Sequence, residues 1–152
     1  MAIRKIIELG DEKLRKTCKP VEKFDLRLRI LLKDMADTMY KAQGVGLAAP
    51  QVGVLRRIVV VETEPGKVIE LINPKIIARA GEQTGTEGCL SVPGKCGTVT
   101  RPMHVTVRAL NRHGEEFEIS GSEFTARAFC HELDHLDGKL YVDMADEMFD
   151  NN

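Results

Sequence analysis

The chain has 152 residues, of which 43% are hydrophobic and 30% charged, and a formal net charge of −1. This is enough chain to bury a core. Near-neutral charge without a run of five Lys or Arg excludes an electrostatic case for nucleic acid or an anionic membrane as a direct partner. No apolar run approaches the roughly 20 residues of a bilayer span.

The start, "MAIRKIIELGDEKLRK", is too charged and interrupted for a secretory signal. Cys18, Cys89, Cys96 and Cys130 therefore read as thiols or metal ligands, and the expected location is the cytoplasm. With no repeat or linker, residues 1–152 read as a single domain. The acidic ending "MADEMFDNN" is expected to fray from about residue 145.

From Phe24 to Gln43, Leu28, Leu31, Leu32, Met35 and Met39 follow helical spacing. Asp25 is the expected N-cap and Gly44 the expected stop. The glycine-rich "GVGLAAPQVG" follows. Strands are expected near Arg57–Val61 and at Val68–Ile72, the second stopped by Asn73–Pro74. "HVTVRAL" alternates and "NRHG" turns into "EEFEIS", which predicts a hairpin.

A second helix is expected from about Ser122 or Glu123 to Asp137, stopped by Gly138. Phe124, Ala128, His131 and His135 share one stripe. Phe129, Leu133, Leu136 and Leu140 share another on roughly the opposite side. A helix apolar on two sides is buried between layers, with its histidines facing inward. The pattern predicts an α+β fold, a largely antiparallel sheet packed around this helix, with an amphipathic helix nearer the N-terminus.

This second helix carries "HELDH" (His131–His135). Two imidazoles one turn apart can hold one metal ion, with Glu132 beside it as a base. The alternative is a pair of hydrogen-bonded core histidines. A third ligand must be found. Tyr141 stands where one protease pattern has its third histidine, and Glu147 sits in a tail with little room for a ligand-bearing helix. The ligand then lies upstream, among Cys18, Cys89, Cys96, His104, His113 and the carboxylates. Cys89 stands out, because Gly88 permits close backbone approach and Pro93–Gly94 turns the chain away. A thiolate suits zinc or iron(II).

"GVGLAAPQ" (Gly44–Gln51), "EGCLS" (Glu87–Ser91) and "HELDHLDG" (His131–Gly138) closely resemble, in order and separation, the three signature motifs of peptide deformylases. The similarity extends to "LRK" near the N-terminus and to the "VRALNR" hairpin, so it covers nearly the whole chain. The resemblance implies a metallo-amidase that removes the formyl group from N-formylmethionine on nascent polypeptides. It makes Cys89, His131 and His135 the ligands of one divalent metal, iron(II) being the family's usual choice and zinc, nickel or cobalt the alternatives. It makes Glu132 the general base, and it assigns oxyanion stabilisation to the Gln51 side chain and the Leu90 backbone N–H. Val45, Gly46 and Gly88 would flank the substrate peptide, and Phe124 and Ala128 would line a methionine pocket.

Three features depart from the family's pattern. Cys130 replaces a common glutamine, and Cys96 stands where many members carry a basic residue near the cleft. The short acidic tail differs from the longer C-terminal helix that some members use at the ribosome, so transient ribosome contact would need another route. Two other readings compete: an HExxH metalloprotease, which would cut internal peptide bonds, and a structural metal module closed by a fourth ligand such as Cys96 or Cys130.

Overall fold

The computed structural model describes residues 2–151. Helix α1 spans Leu26–Lys41 and helix α2 Phe124–His135. Eight strands accompany them: β1 Gly46–Ala48, β2 Ile58–Glu64, β3 Lys67–Ala80, β4 Gln83–Cys89, β5 Val92–Arg101, β6 His104–Leu110, β7 Glu116–Ser122 and β8 Glu147–Asp150. A five-stranded sheet has the order β1-β2-β3-β6-β7 and a three-stranded sheet the order β4-β5-β8. Every strand pairing in both is antiparallel. The fold is α+β. Among the described residues no helix is long and apolar enough to cross a membrane.

The larger sheet is covered by a helix on each face, and β2 shows why. Val59 and Val61 pack with Phe129 and Leu133 of α2 and with Leu136 at its C-cap. Ile58 and Val60, pointing the other way, pack with Leu28, Leu32, Met35 and Met39 of α1. A strand buried on both faces reads as a continuous apolar run, as "IVVV" does.

Helix α1 starts at the expected cap, where Asp25 accepts a hydrogen bond from the Leu28 N–H at 3.2 Å. Its stop differs from expectation. Gln43, not Gly44, takes the left-handed conformation, with φ 60°. A Cβ on Gly44 would lie 2.7 Å from Leu90 Cδ1, so any larger residue there would displace the Leu90 side chain.

Three further expectations are corrected. Strand β3 runs straight through Asn73–Pro74, because a register shift between Ile72 and Lys75 absorbs the proline. Asn73 adopts φ 51° there, and its side chain bonds both the N–H and the carbonyl of Val21. Pro93–Gly94, read as a turn, lies instead within β5, and the chain reverses before it in the β4–β5 hairpin, with Cys89 paired to Val92. The acidic ending does not fray at residue 145: β8 pairs with β5 from Thr98↔Glu147 to Lys95↔Asp150. Gly97 makes room for it, since a Cβ there would lie 2.7 Å from Met148 Sδ.

Helix α2 ends at His135, two residues short of the expected Asp137, and a turn leads to Gly138, which has φ 74°. A Cβ on Gly138 would sit 2.4 Å from the Arg15 carbonyl oxygen. Gly138→Ala therefore adds a backbone clash to the roughly 1–2 kcal/mol cost of a left-handed non-glycine residue. Urea denaturation should show at least that loss, and an unchanged midpoint would refute this account of the helix stop.

Candidate active site

Helix α2 is buried along most of its length, and His131, Glu132 and His135 are among its buried residues. Cys89 ends β4, where the hairpin reverses through Leu90 and Ser91. These elements bring one ligand atom each from Cys89, His131 and His135 within 4.8 Å of one another. Cys89 Sγ is 3.4 Å from His135 Nε2. Among the described residues no fourth ligand joins them. Cys130 packs in the core between α2 and the larger sheet, and Cys96 lies buried under β8 with its Sγ 4.0 Å from the Phe149 carbonyl. A sulfur and two imidazoles fit a divalent metal such as zinc or iron(II), and a three-ligand set suits a catalytic site better than a closed structural one.

The imidazole of His131 is held from behind. Its Nδ1 lies 2.8 Å from Glu87 Oε1, so Nδ1–H donation to that carboxylate leaves Nε2 free to ligate. Glu87 also accepts from Arg101 Nε and Nη2 at 2.8 and 2.9 Å and from Arg127 Nη1 at 2.7 Å. Arg101 in turn donates to Asp134 at 2.7 Å. Burial alone would raise the Glu87 carboxyl, but the hydrogen bonds from Arg101 and His131 outweigh it and bring it from 4.5 down to about 2. On the ring's other side Tyr141 stacks on His131, with centroids 5.9 Å apart and planes at 28°.

Glu132 has the opposite surroundings. Its Oε1 is buried without a hydrogen-bond partner, and burial pushes its carboxyl from 4.5 up to about 7, Glu87 adding to the rise and His131 opposing it. Gly46 stands against it: a Cβ there would lie 2.6 Å from Glu132 Oε2. Burial also holds the His135 imidazole down at about 3, with the positive charges of His131 and Arg101 adding to the effect.

Gln51 lies in a short 3₁₀ turn, Ala49–Val52. The Ala48 N–H donates to its Oε1 at 2.9 Å, which aims its amide nitrogen at Ser91 Oγ, 3.1 Å away, and Cys89 Sγ, 3.6 Å away. The site opens into a cleft of about 310 Å³ whose lining includes Val45, Gly46, Gly88 and Leu90. A larger groove of about 640 Å³ lies elsewhere, between Lys19–Val21 and α1, and includes none of these residues.

The family model for polypeptide deformylase matches residues 3–150. The chain belongs to the polypeptide deformylase family. Peptide deformylase from Acetivibrio thermocellus is 55% identical over 152 residues, all of this chain and 89% of that one. A peptide deformylase crystal structure from Legionella pneumophila aligns with a TM-score of 0.92 at 53% identity, over 94% of this chain and 86% of its own. The peptide deformylase of Thermotoga maritima aligns at 0.93 with 38% identity, over 97% and 100%. Like these deformylases, the chain is an enzyme, a hydrolase.

Within this deformylase chain, most residues expected at the site from sequence meet there, and two do not. Phe124 is exposed at the start of α2, and Ala128 is packed into the core against the sheet. Neither is among the residues lining the cleft, which meets α2 at His131 and Glu132. Glu87, Arg101, Arg127, Asp134 and Tyr141 were not foreseen. The one sequence signal for Glu87 is its i, i+2 spacing from Cys89 in β4, although the strand's register shifts between the two.

Glu87→Ala should cost about 3–5 kcal/mol, because it leaves two buried guanidinium groups without their shared carboxylate. Glu87 has a folded value below the ordinary 4.5, so its stabilisation is present above that pH and lost as pH falls from 4.5 to about 2. Urea titrations across that range should show a shallower acid slope for Glu87→Gln than for the native chain. Identical slopes would refute the assignment.

Proposed function

We propose that this enzyme removes the formyl group from the N-terminal formylmethionine of nascent polypeptides and releases formate. One observation carries the reading: Cys89, His131 and His135 converge, the first two lining a cleft, beside a buried carboxylate, Glu132, whose Oε1 lacks a hydrogen-bond partner. One divalent metal held by those three residues would supply Lewis acidity and bring the pKa of water toward neutrality, with iron(II) favoured and zinc, nickel or cobalt able to substitute.

The chain's own groups then have separate tasks. Glu132, raised to about 7 by burial, can take a proton from the attacking water and give one to the leaving amine. The Gln51 amide and the Leu90 N–H are the donors for the oxyanion, a role in which losing one donor costs about 2.7–4 kcal/mol of barrier. Val45 and Gly46 lie where β1 edges the larger sheet, so their backbone can pair with an extended substrate, while Gly88 leaves the opposite wall open. The reaction belongs in the cytoplasm, where new chains emerge, and requires at most transient contact with the ribosome. The metalloprotease reading is disfavoured by the family match and by Tyr141, which stacks on His131 where a third histidine ligand was sought.

Anaerobically iron-loaded protein, given a short formylmethionyl peptide, should release formate and leave the rest of the peptide intact by mass. Internal cleavage without formate would replace this reading with the protease one. Glu132→Ala should retain its metal by elemental analysis and lose roughly 10²–10⁴ in turnover. Undiminished turnover would sink the assignment of Glu132 as general base.

A further inference from the structure

The cleft has a closed end and an open end, and the two differ in charge. At the floor, His131 and Glu132 are buried. At the mouth, Lys95 and Asn151 form part of the lining, and the Lys95 side chain is 52% exposed. Among the described lining residues Lys95 is the one lysine, and no arginine joins it.

Lys95 is fixed there by the C-terminal strand. It pairs with Asp150 across β5–β8, and its ammonium forms an ion pair with the Asp150 carboxylate. The Asn151 N–H extends the contact by donating to the Gly94 carbonyl at 2.9 Å. Both partners of the ion pair are more than half exposed. Such pairs contribute about 0–1 kcal/mol, so a carboxylate arriving in the cleft can replace Asp150 at little cost.

We propose that Lys95 is a specificity residue that favours formylmethionyl peptides carrying an acidic side chain one or two residues after the methionine. This rests on the deformylase reading above, which places the formyl group at the floor. An extended chain advances roughly 3.3–3.6 Å per residue, so the residues just after methionine are the ones that emerge at the mouth. There a carboxylate gains the Lys95 charge, and a substrate lysine meets a like charge.

The test uses the metal-loaded full chain and two peptide series, formyl-Met-Xaa-Ala-Ser and formyl-Met-Ala-Xaa-Ser, with Xaa as Glu, Gln or Lys. Formate release gives kcat/KM for each. At one of the two positions Glu should exceed Lys by roughly tenfold at low salt, and the ratio should shrink at high salt. Lys95→Gln should bring the ratio toward one, and Lys95→Glu should invert it. Asp150→Asn keeps Lys95 while removing its internal partner, and should enlarge the preference. A change in tail packing alone would move all peptides alike in every variant and would overturn the proposal. So would equal rates for Glu and Lys at both positions while the Gln peptides turn over normally, a result that leaves the deformylase reading intact. Absence of formate from every peptide would overturn that reading and this inference together.

Discussion

The site depends on one buried carboxylate. Glu87 belongs to the smaller sheet, and its oxygens meet an arginine from β5, an arginine from α2 and a histidine from α2. Placing an ion in the interior is costly unless its remaining hydrogen-bonding capacity is filled. Here the filling groups come from separate elements, so the electrostatic requirement is also a geometric one. The smaller sheet and α2 cannot shift relative to each other without leaving a buried charge unpaired. That joint carries Cys89 on one side and both histidines on the other, which are the three atoms that must meet.

Two buried carboxylates of one site are thus set to opposite states. Glu87 is buried among cations and stays ionised. Glu132 is buried with an unpaired oxygen, and its proton affinity rises toward neutrality. Environments that push two acids apart are a means of assigning a structural anion and a base within one site. The glycine opposite belongs to the same device. Gly46 lets the backbone of β1 approach Glu132 closely, which keeps the carboxylate largely buried while it still borders the cleft.

The cleft walls come from unlike sources. One is the short edge strand β1, which among the described strands pairs with β2 alone. The other is the β4–β5 hairpin with β8 laid along it. Since β8 pairs with β5 next to the mouth, the C-terminal segment takes part in shaping the entrance and in fixing the charge displayed there.

What the sequence determined by itself were the features with strong local signals. The apolar period of α1 with its Asp25 cap, the alternation of the β6–β7 hairpin and the "HELDH" spacing each depend on residues close along the chain. The three motifs in order were enough to nominate Cys89 as the missing ligand. The signals failed where local chemistry was ambiguous. Strands β4 and β5 are rich in Gly, Thr and charge, so they carry no apolar alternation, and their pairing comes from each other. Pro74 reads as a stop, but a bulge let β3 continue. The acidic tail reads as solvated, but β5 offered it an edge. Which residues of α2 border the cleft was also undetermined, and Phe124 and Ala128, expected at a methionine pocket, are not among those that line it. Only the tertiary structure decided that Glu87 would meet Arg101, Arg127 and His131. Those contacts join residues 14 to 44 positions apart, and a buried charge is stabilised by whatever the fold brings to it, not by its neighbours in sequence.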